Sequence, residues 1–164
     1  MQSRRVDPGP GQESVWDYPR PPKLELTDKH ISIYFDGELI ADTGRAWRVL
    51  ETSHPPVYYI PLEDIRSDVL IPAQGGSWCE WKGQAVYFDI LSREKTAVKA
   101  AWSYPKPTPS FAAIKDHVAF YAGPMDRCLV DGEEVIPQPG GFYGGWITED
   151  IVGPFKGELG TFGW

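Results

Sequence analysis

Glycine and proline interrupt this sequence so often that a long helix has little room to form. The chain of 164 residues contains 17 glycines and 16 prolines, and both residue types favour turns over helix interiors. Segments such as Ile31 to Phe35 are rich in β-branched and aromatic side chains. Asp36-Gly37 and Asp131-Gly132 are strong signals for tight hairpin turns. The pattern predicts about eight short, mainly antiparallel strands.

One hairpin and one helix are predicted in the middle of the chain. Ser77 to Trp81 and Ala85 to Ile90 are typical of paired strands turned at Lys82-Gly83, after a loop at Gln74-Gly75-Gly76. The helix follows Pro107-Thr108-Pro109-Ser110, where Thr108 or Ser110 can cap it. Its apolar positions are Phe111, Ile114 and Val118.

The chain divides into a central domain and two extended segments. Residues 1–23 are rich in proline, glycine and charge and are predicted to form an arm, with Trp16 and Tyr18 docking it on the domain. Residues 24–137 are predicted to form the β domain. Residues 138–164 alternate glycines with aromatics such as Trp146 and Trp164, which predicts a tail that packs on the domain or on a partner subunit.

Charge and cysteine content limit the function classes. The formal net charge is −7, so binding to bulk nucleic acid is not expected. No run of about 18 apolar residues is present, so no membrane span is predicted. Cys79 and Cys128 are expected to be free thiols in a reducing cytoplasm. The sequence leaves open whether the protein is a monomer or a homodimer.

The segment from Glu51 to Pro61 is the strongest candidate for a functional site. It places Glu51, Ser53 and His54 beside two prolines, and Tyr58 and Tyr59 follow directly. Proline fixes its own φ and restricts the residue before it, so this segment is predicted to be stiff and extended. Histidine titrates near neutral pH and suits proton transfer.

Two later segments have a similar polar and aromatic character. The first contains Glu80, Trp81 and Lys82, and the second contains Trp102 and Tyr104. Together the three segments predict a pocket with aromatic walls that binds a small planar or cationic molecule. In the predicted site Ser53, Tyr58, Tyr59, Trp81, Lys82, Trp102 and Tyr104 bind the ligand, and Glu51, His54 and Glu80 are the candidate acid–base residues.

Three functions stay open on the sequence alone. The leading one is small-molecule binding in the aromatic pocket. The second is an enzyme that uses His54 with Glu51 or Glu80, conceivably on a nucleotide, and the third is an interaction module that docks through its C-terminal tail. No cofactor and no metal are predicted, because His54, Cys79, His117 and Cys128 are not spaced as zinc ligands. A nucleophilic Cys79 is a weaker alternative to a structural cysteine.

Four segments resemble the domain-of-unknown-function family 427 over about residues 30 to 136. They are Val49 to Pro61, Cys79 to Gly83, Ala101 to Pro105 and His117 to Tyr121. The resemblance implies a compact β-tent (Mss4-like) fold, in which two antiparallel sheets meet at an angle. Related β-tent families bind zinc with two Cys-x-x-Cys pairs, which this sequence lacks, so the resemblance implies that aromatic packing replaces the metal.

The family also carries a nucleotidyltransferase name, which the residues do not support. Polymerase-like transferases follow a Gly-Ser turn with paired carboxylates that hold two metal ions. Here Gly76-Ser77 is followed by Trp78-Cys79-Glu80, without such a pair. A phosphate-binding loop of the Gly-x-x-x-x-Gly-Lys type is missing as well.

Overall fold

Short strands dominate the computed structural model, which describes residues 5–158. In chain order the strands of this part are β1 (Glu13–Ser14), β2 (Lys23–Leu26), β3 (Ile31–Phe35), β4 (Glu38–Thr43), β5 (Trp47–Leu50), β6 (Val57–Pro61), β7 (Leu70–Cys79), β8 (Gly83–Leu91), β9 (Thr96–Ser103), β10 (His117–Phe120), β11 (Arg127–Val130), β12 (Glu133–Glu134), β13 (Ile136–Pro137), β14 (Trp146–Ile147) and β15 (Ile151–Val152). Its helical segments are all of the 3₁₀ type: Val15–Asp17, Leu62–Asp64, Ser67–Val69 and Pro109–Ile114.

Two antiparallel sheets carry the domain. The larger sheet has the strand order β2-β5-β6-β10-β9-β8-β7, and the smaller one has the order β12-β11-β3-β4. Two further strand pairs, the parallel β1–β15 and the antiparallel β13–β14, involve the terminal segments. The predicted mainly β, antiparallel fold with extended terminal segments is confirmed.

The two aspartate–glycine turns lie where the sequence predicts them. Asp36 and Gly37 have φ values of 51° and 75°, and Asp131 and Gly132 have values of 49° and 82°. Positive φ at both central residues is the geometry of the tight hairpin turn that matches the twist of the flanking strands. These turns join β3 to β4 and β11 to β12.

The prediction of a loop at Gln74-Gly75-Gly76 is wrong, because these residues belong to the long strand β7. The pairing register of β7 with β8 shifts between Pro72 and Gly76, and Gly75 has a φ of 89°. A side chain at Gly76 would meet the Ala85 carbonyl oxygen at 2.5 Å. The glycines therefore allow an irregularity within the strand, as in a β-bulge.

The predicted helix is present but shorter than expected. It spans Pro109–Ile114 as a 3₁₀ segment, kinked at Phe111, and the chain then turns through Asp116, whose φ is 60°. Val118 therefore lies in β10 and not on the helix. Thr108 occupies the N-cap position without a capping hydrogen bond, because its hydroxyl donates to the Trp81 carbonyl oxygen instead.

The main core lies between the two sheets. It combines residues such as Ile31 and Ile33 of the smaller sheet with Tyr58, Ile60 and Phe120 of the larger one. Successive side chains on a strand point to opposite faces, so Tyr59 of β6 and Ala119 of β10 belong to a second apolar cluster. The larger sheet is therefore apolar on both faces.

The N-terminal segment docks through an ionic cluster around the buried side chain of Arg48. The Arg48 side chain is 7% exposed, and its guanidinium donates to Glu25 and Glu13. The Tyr18 hydroxyl donates to Glu13 Oε2 at 2.5 Å, and Tyr18 is buried beside Val15 and other residues of a small cluster. Trp16 is half-buried, and its Nε1 donates to the Pro154 carbonyl oxygen at 3.0 Å.

The described part of the C-terminal segment packs on the same chain. Trp146 is 1% exposed within the main core, where its Nε1 donates to the Phe120 carbonyl oxygen at 3.0 Å. Its ring lies 5.3 Å from that of Tyr58. The last predicted aromatic stretch, Gly160 to Trp164, lies outside the described residues.

Replacement of Trp146 by alanine should destabilise the whole domain. The Trp146→Ala variant leaves a large cavity in the core and is expected to lose about 3–5 kcal/mol of unfolding free energy. Urea denaturation monitored by circular dichroism measures this loss. The control is Phe142→Ala in the same segment, where the side chain is 71% exposed and the expected change is within about 0.5 kcal/mol. Equal losses in both variants would contradict the account.

Candidate functional site

A cleft of about 300 Å³ opens on the face of the larger sheet that points away from the smaller sheet. Strands β5 to β9 contribute residues to it, among them Val49, Tyr59 and Ala85. The segment after β13 adds Gln138 and the run Phe142 to Gly144. The cleft therefore lies between the second apolar face of the sheet and the C-terminal segment.

Many of the residues that line the cleft are aromatic. The indole of Trp102 donates from Nε1 to the hydroxyl of Tyr59 at 3.2 Å, and the two rings meet edge to face with centroids 6.5 Å apart. The ring of Tyr104 lies 6.3 Å from Tyr59, and the ring of Tyr121 lies 4.7 Å from Trp102. Burial raises the pKa of both Tyr59 and Tyr104, so these phenols are uncharged at neutral pH.

The imidazole of His54 is held by the buried side chain of Gln138. Gln138 is 4% exposed, and its Oε1 accepts a hydrogen bond from the Gly145 N–H at 3.0 Å. Its Nε2 donates to the Lys156 carbonyl oxygen at 2.9 Å and lies 3.0 Å from His54 Nδ1. The end of the amide that faces the Lys156 carbonyl oxygen must be the NH₂ group, and the end that faces the Gly145 N–H must be the oxygen. The NH₂ group therefore donates to Nδ1 of His54, which is the acceptor.

This hydrogen bond determines the tautomer of His54. A neutral imidazole carries one proton, and with Nδ1 accepting, the proton is on Nε2. Burial lowers the pKa of His54 to about 4, and the positive charges of Arg20, Lys156 and Lys82 act in the same direction. At neutral pH His54 is therefore an uncharged group with an Nε2–H donor at the cleft.

Glu51 and Lys82 are charged side chains that line the cleft with His54. Glu51 Oε2 lies 3.9 Å from His54 Nε2 and 3.8 Å from Arg20 Nε. The Nζ of Lys82 lies 5.7 Å from the ring centroid of Tyr104, which is cation–π distance. Lys82 follows the tip of the β7–β8 hairpin, and its carbonyl oxygen accepts from the Thr108 N–H at 3.1 Å.

The run from Phe142 to Gly144 closes one side of the cleft. The ring of Tyr143 lies 4.9 Å from that of His54, and the Tyr121 hydroxyl donates to the Phe142 carbonyl oxygen at 3.0 Å. A Cβ at Gly144 would lie 2.1 Å from Cη2 of Trp102. Only glycine lets the backbone approach the indole this closely.

The structure brings many of the sequence-predicted site residues together. The cleft is lined by Glu51, His54, Tyr59, Lys82, Trp102 and Tyr104. They come from three separate segments of the sequence, which meet because β6 and β9 both pair with β10 and β8 continues the same sheet. Their role in binding or catalysis stays a prediction.

The other predicted site residues do not line the cleft. Tyr58 neighbours Tyr59 on β6 and therefore points into the main core. Glu80 and Trp81 lie in the turn between β7 and β8, where Glu80 is exposed and Trp81 packs at the margin of the second cluster. Ser53 has a φ of 72° and is buried, and its hydroxyl has no hydrogen-bond partner among the described residues.

Several cleft residues were missed by the sequence reasoning. Gln138, Tyr121 and Tyr143 all line the cleft, and none belongs to the three segments that predicted it. The sequence feature that could have indicated Gln138 is its position between Pro137 and Pro139, which restrict the backbone around this amide side chain. Its contact with His54 spans 84 positions and depends on the path of the C-terminal segment.

The cysteines lie in different surroundings. Cys128 is buried in the main core, where burial raises the pKa of its thiol, and Cys79 lines the cleft. Both are free. Within residues 5–158 there is no group of three or more His, Cys, Asp or Glu side chains that could hold a metal ion.

The chain belongs to the family described as Domain of unknown function (DUF427), which matches residues 23–131. No curated protein matches the chain. Gln138 and the run from Phe142 to Gly144 lie beyond the matched residues, although they complete the cleft. In the described part of the chain, no helix has the length and apolar character needed to cross a membrane.

A side chain at Gly144 should disturb the cleft. The Gly144→Ala methyl overlaps the Trp102 indole, and such overpacking costs about 1–3 kcal/mol. Urea denaturation measures the loss, and the near-ultraviolet circular dichroism spectrum reports the displaced indole. Gly44→Ala is the control, because a Cβ there has no atom within 4 Å. If both variants keep wild-type stability and spectra, the close approach of Gly144 to Trp102 is wrong.

His54 should make the protein less stable in mild acid. The unfolded chain takes up a proton at this histidine near pH 6.5, whereas the folded chain does so only near pH 4. Stability therefore falls as pH decreases through this window, by up to about 3 kcal/mol. Urea denaturation between pH 7 and pH 4 should show a steeper loss in wild type than in His54→Gln. Parallel curves would contradict the burial of a neutral imidazole.

Proposed function

We propose that this protein binds a small planar molecule, uncharged or anionic, in the aromatic cleft. The observation that carries the proposal is the combination of a 300 Å³ cavity with aromatic walls and a few converging polar groups. This combination is typical of small-molecule sites. Trp102, Tyr104 and Tyr143 contribute aromatic rings to the lining, and His54 offers an uncharged donor.

The surrounding charges favour such a ligand over a cationic one. Arg20, Lys82 and Lys156 act together on His54 and lower its pKa, whereas Glu51 is the acidic side chain that lines the cleft. Glu51 is also near Arg20, at 3.8 Å. A cation would meet this positive surrounding at a cost, since like charges repel strongly where water is partly excluded.

The state of His54 argues against its use as a general base. A base needs a free nitrogen lone pair, but Nδ1 accepts from Gln138 and Nε2 carries the proton. A pKa of about 4 also makes the imidazole a weak base at neutral pH. Glu80, the second candidate partner, is exposed at the hairpin tip. These observations favour binding over acid–base catalysis at this site.

Two antiparallel sheets around one core are consistent with the β-tent class, and two free cysteines are consistent with the reducing cytoplasm. The domain limits proposed are 24–137, with an N-terminal arm and a C-terminal tail. The described part of the tail packs on its own domain, which favours ligand binding over docking of a partner through the tail.

A thermal-shift screen tests the binding proposal. The compounds are planar uncharged heterocycles, planar carboxylates and quaternary ammonium ions. A ligand at 100 times its Kd adds about 2.7 kcal/mol, which raises the Tm of a protein of this size by several degrees. Planar compounds should raise the Tm of wild type and not that of Trp102→Leu.

The control for this screen is Trp16→Leu, since Trp16 is half-buried in the N-terminal cluster and does not line the cleft. This variant should keep the full ligand-induced shift. The proposal fails if no planar compound shifts the Tm of wild type. It also fails if the shift survives in Trp102→Leu and disappears in Trp16→Leu.

A further inference from the structure

A hydrogen-bond donor and an acceptor stand side by side in the wall of the cleft. The donor is Nε2–H of His54, and the acceptor is Oε2 of Glu51, with 3.9 Å between the two atoms. Both residues line the cavity. This separation is too long for a hydrogen bond between them, so each atom remains able to bond to a ligand.

The hydrogen bond from Gln138 determines which nitrogen of His54 carries the proton and also holds the ring in place. The Gln138 amide directs its two N–H groups to the Lys156 carbonyl oxygen and to His54 Nδ1, and its oxygen accepts from the Gly145 N–H. Rotation of the amide would place two N–H donors against the Gly145 N–H and leave its oxygen facing a carbonyl oxygen. Nδ1 therefore stays an acceptor, and the cleft always meets Nε2 as N–H.

Among the described residues, the nearest partner of the Glu51 carboxylate is an ion-pair contact with Arg20 and not a hydrogen bond. Glu51 is 24% exposed at its side chain, and within residues 5–158 no group donates a hydrogen bond to its carboxylate at 3.5 Å or less. Arg20 balances part of its charge from 3.8 Å. The carboxylate is therefore open to a hydrogen bond from a ligand N–H, and a hydrogen bond to a charged acceptor is stronger than one between neutral groups.

From this pair we infer that the cleft recognises a planar heterocycle in which a ring N–H and a carbonyl group are neighbours on one edge. This inference rests on the proposed binding function. The ligand N–H donates to Glu51, and the ligand carbonyl oxygen accepts from Nε2–H of His54. The nucleobases that carry such a lactam edge belong to this chemical class.

The aromatic wall and the polar pair act on different parts of the ligand. Trp102, Tyr104 and Tyr143 contact the flat faces of the ring, which gives affinity without distinguishing one heterocycle from another. Glu51 and His54 hydrogen-bond to one edge of the ligand. An edge with the wrong groups leaves the carboxylate or the N–H without a ligand partner. Unpaired groups of this kind reduce affinity strongly, because a site built to hydrogen-bond rejects analogues that cannot do so.

A matched series of ligands tests the inference by calorimetric titration. The probes are isoquinolin-1(2H)-one, which has the lactam edge, and its N-methyl derivative, which has lost the N–H. In wild type the N-methyl derivative should bind at least about tenfold more weakly, since a hydrogen bond to a charged group contributes about 1.5–3 kcal/mol. In Glu51→Met the two compounds should bind with similar affinity.

Variants of His54 test the donor. His54→Phe keeps a planar ring without the N–H and should lose at least about tenfold in affinity for the lactam. His54→Gln keeps an N–H donor on a side chain of similar length and should bind more tightly than His54→Phe. Circular dichroism and thermal unfolding of each variant establish that it is folded.

The outcomes separate this inference from the binding function. If wild type binds the lactam and its N-methyl derivative equally, or if His54→Phe binds as well as wild type, the recognition of the edge is overturned and the aromatic binding site stands. If neither probe binds and no planar compound of the thermal-shift screen binds, both the inference and the binding function are overturned. A large preference for the lactam that disappears in Glu51→Met supports both.

Discussion

The buried amide of Gln138 is the interaction on which the arrangement of the site depends. It connects three distant parts of the chain, because its partners are His54, Gly145 and Lys156. A buried amide without hydrogen bonds is costly, so the bonds of Gln138 hold these partners together. It attaches the C-terminal segment to the wall of the cleft and at the same time determines the tautomer of His54.

The larger sheet supplies the second condition for the site. Most sheets of this type bury one face and expose the other to water, but here both faces carry large apolar side chains. One face packs on the smaller sheet. The other holds Tyr59, Trp102 and Tyr104, which the helix and the C-terminal segment cover only in part, and the uncovered part is the cleft.

Local signals were sufficient to predict much of the fold and part of the site. The aspartate–glycine turns, the strands around them and the short helix follow from turn chemistry and residue type. The prolines after His54 marked a segment that does line the cleft. The sequence does not determine which of Tyr58 and Tyr59 faces the cleft. Both faces of the larger sheet are apolar, so strand β6 has no alternation of polar and apolar residues that would identify the cleft side.

Other features could not be predicted because they depend on distant contacts. Gln138 is informative only when the path of the chain places it against His54. The sequence pattern predicts a turn at Lys82-Gly83, which places Glu80 on the preceding strand. In the structure the turn comes earlier, at Glu80 to Lys82, because Cys79 pairs with Gly83. This shift moves Glu80 from a sheet face to the exposed turn.

The most direct test of the account is a nuclear magnetic resonance measurement of the two ring nitrogens of His54. A ¹H–¹⁵N spectrum that correlates these nitrogens with the ring protons, recorded across pH 4 to 8, reports the tautomer and the charge of the imidazole. The account predicts a proton on Nε2, an unprotonated Nδ1, and no protonation until the pH approaches about 4. A proton on Nδ1, or titration near pH 6.5, would contradict the account.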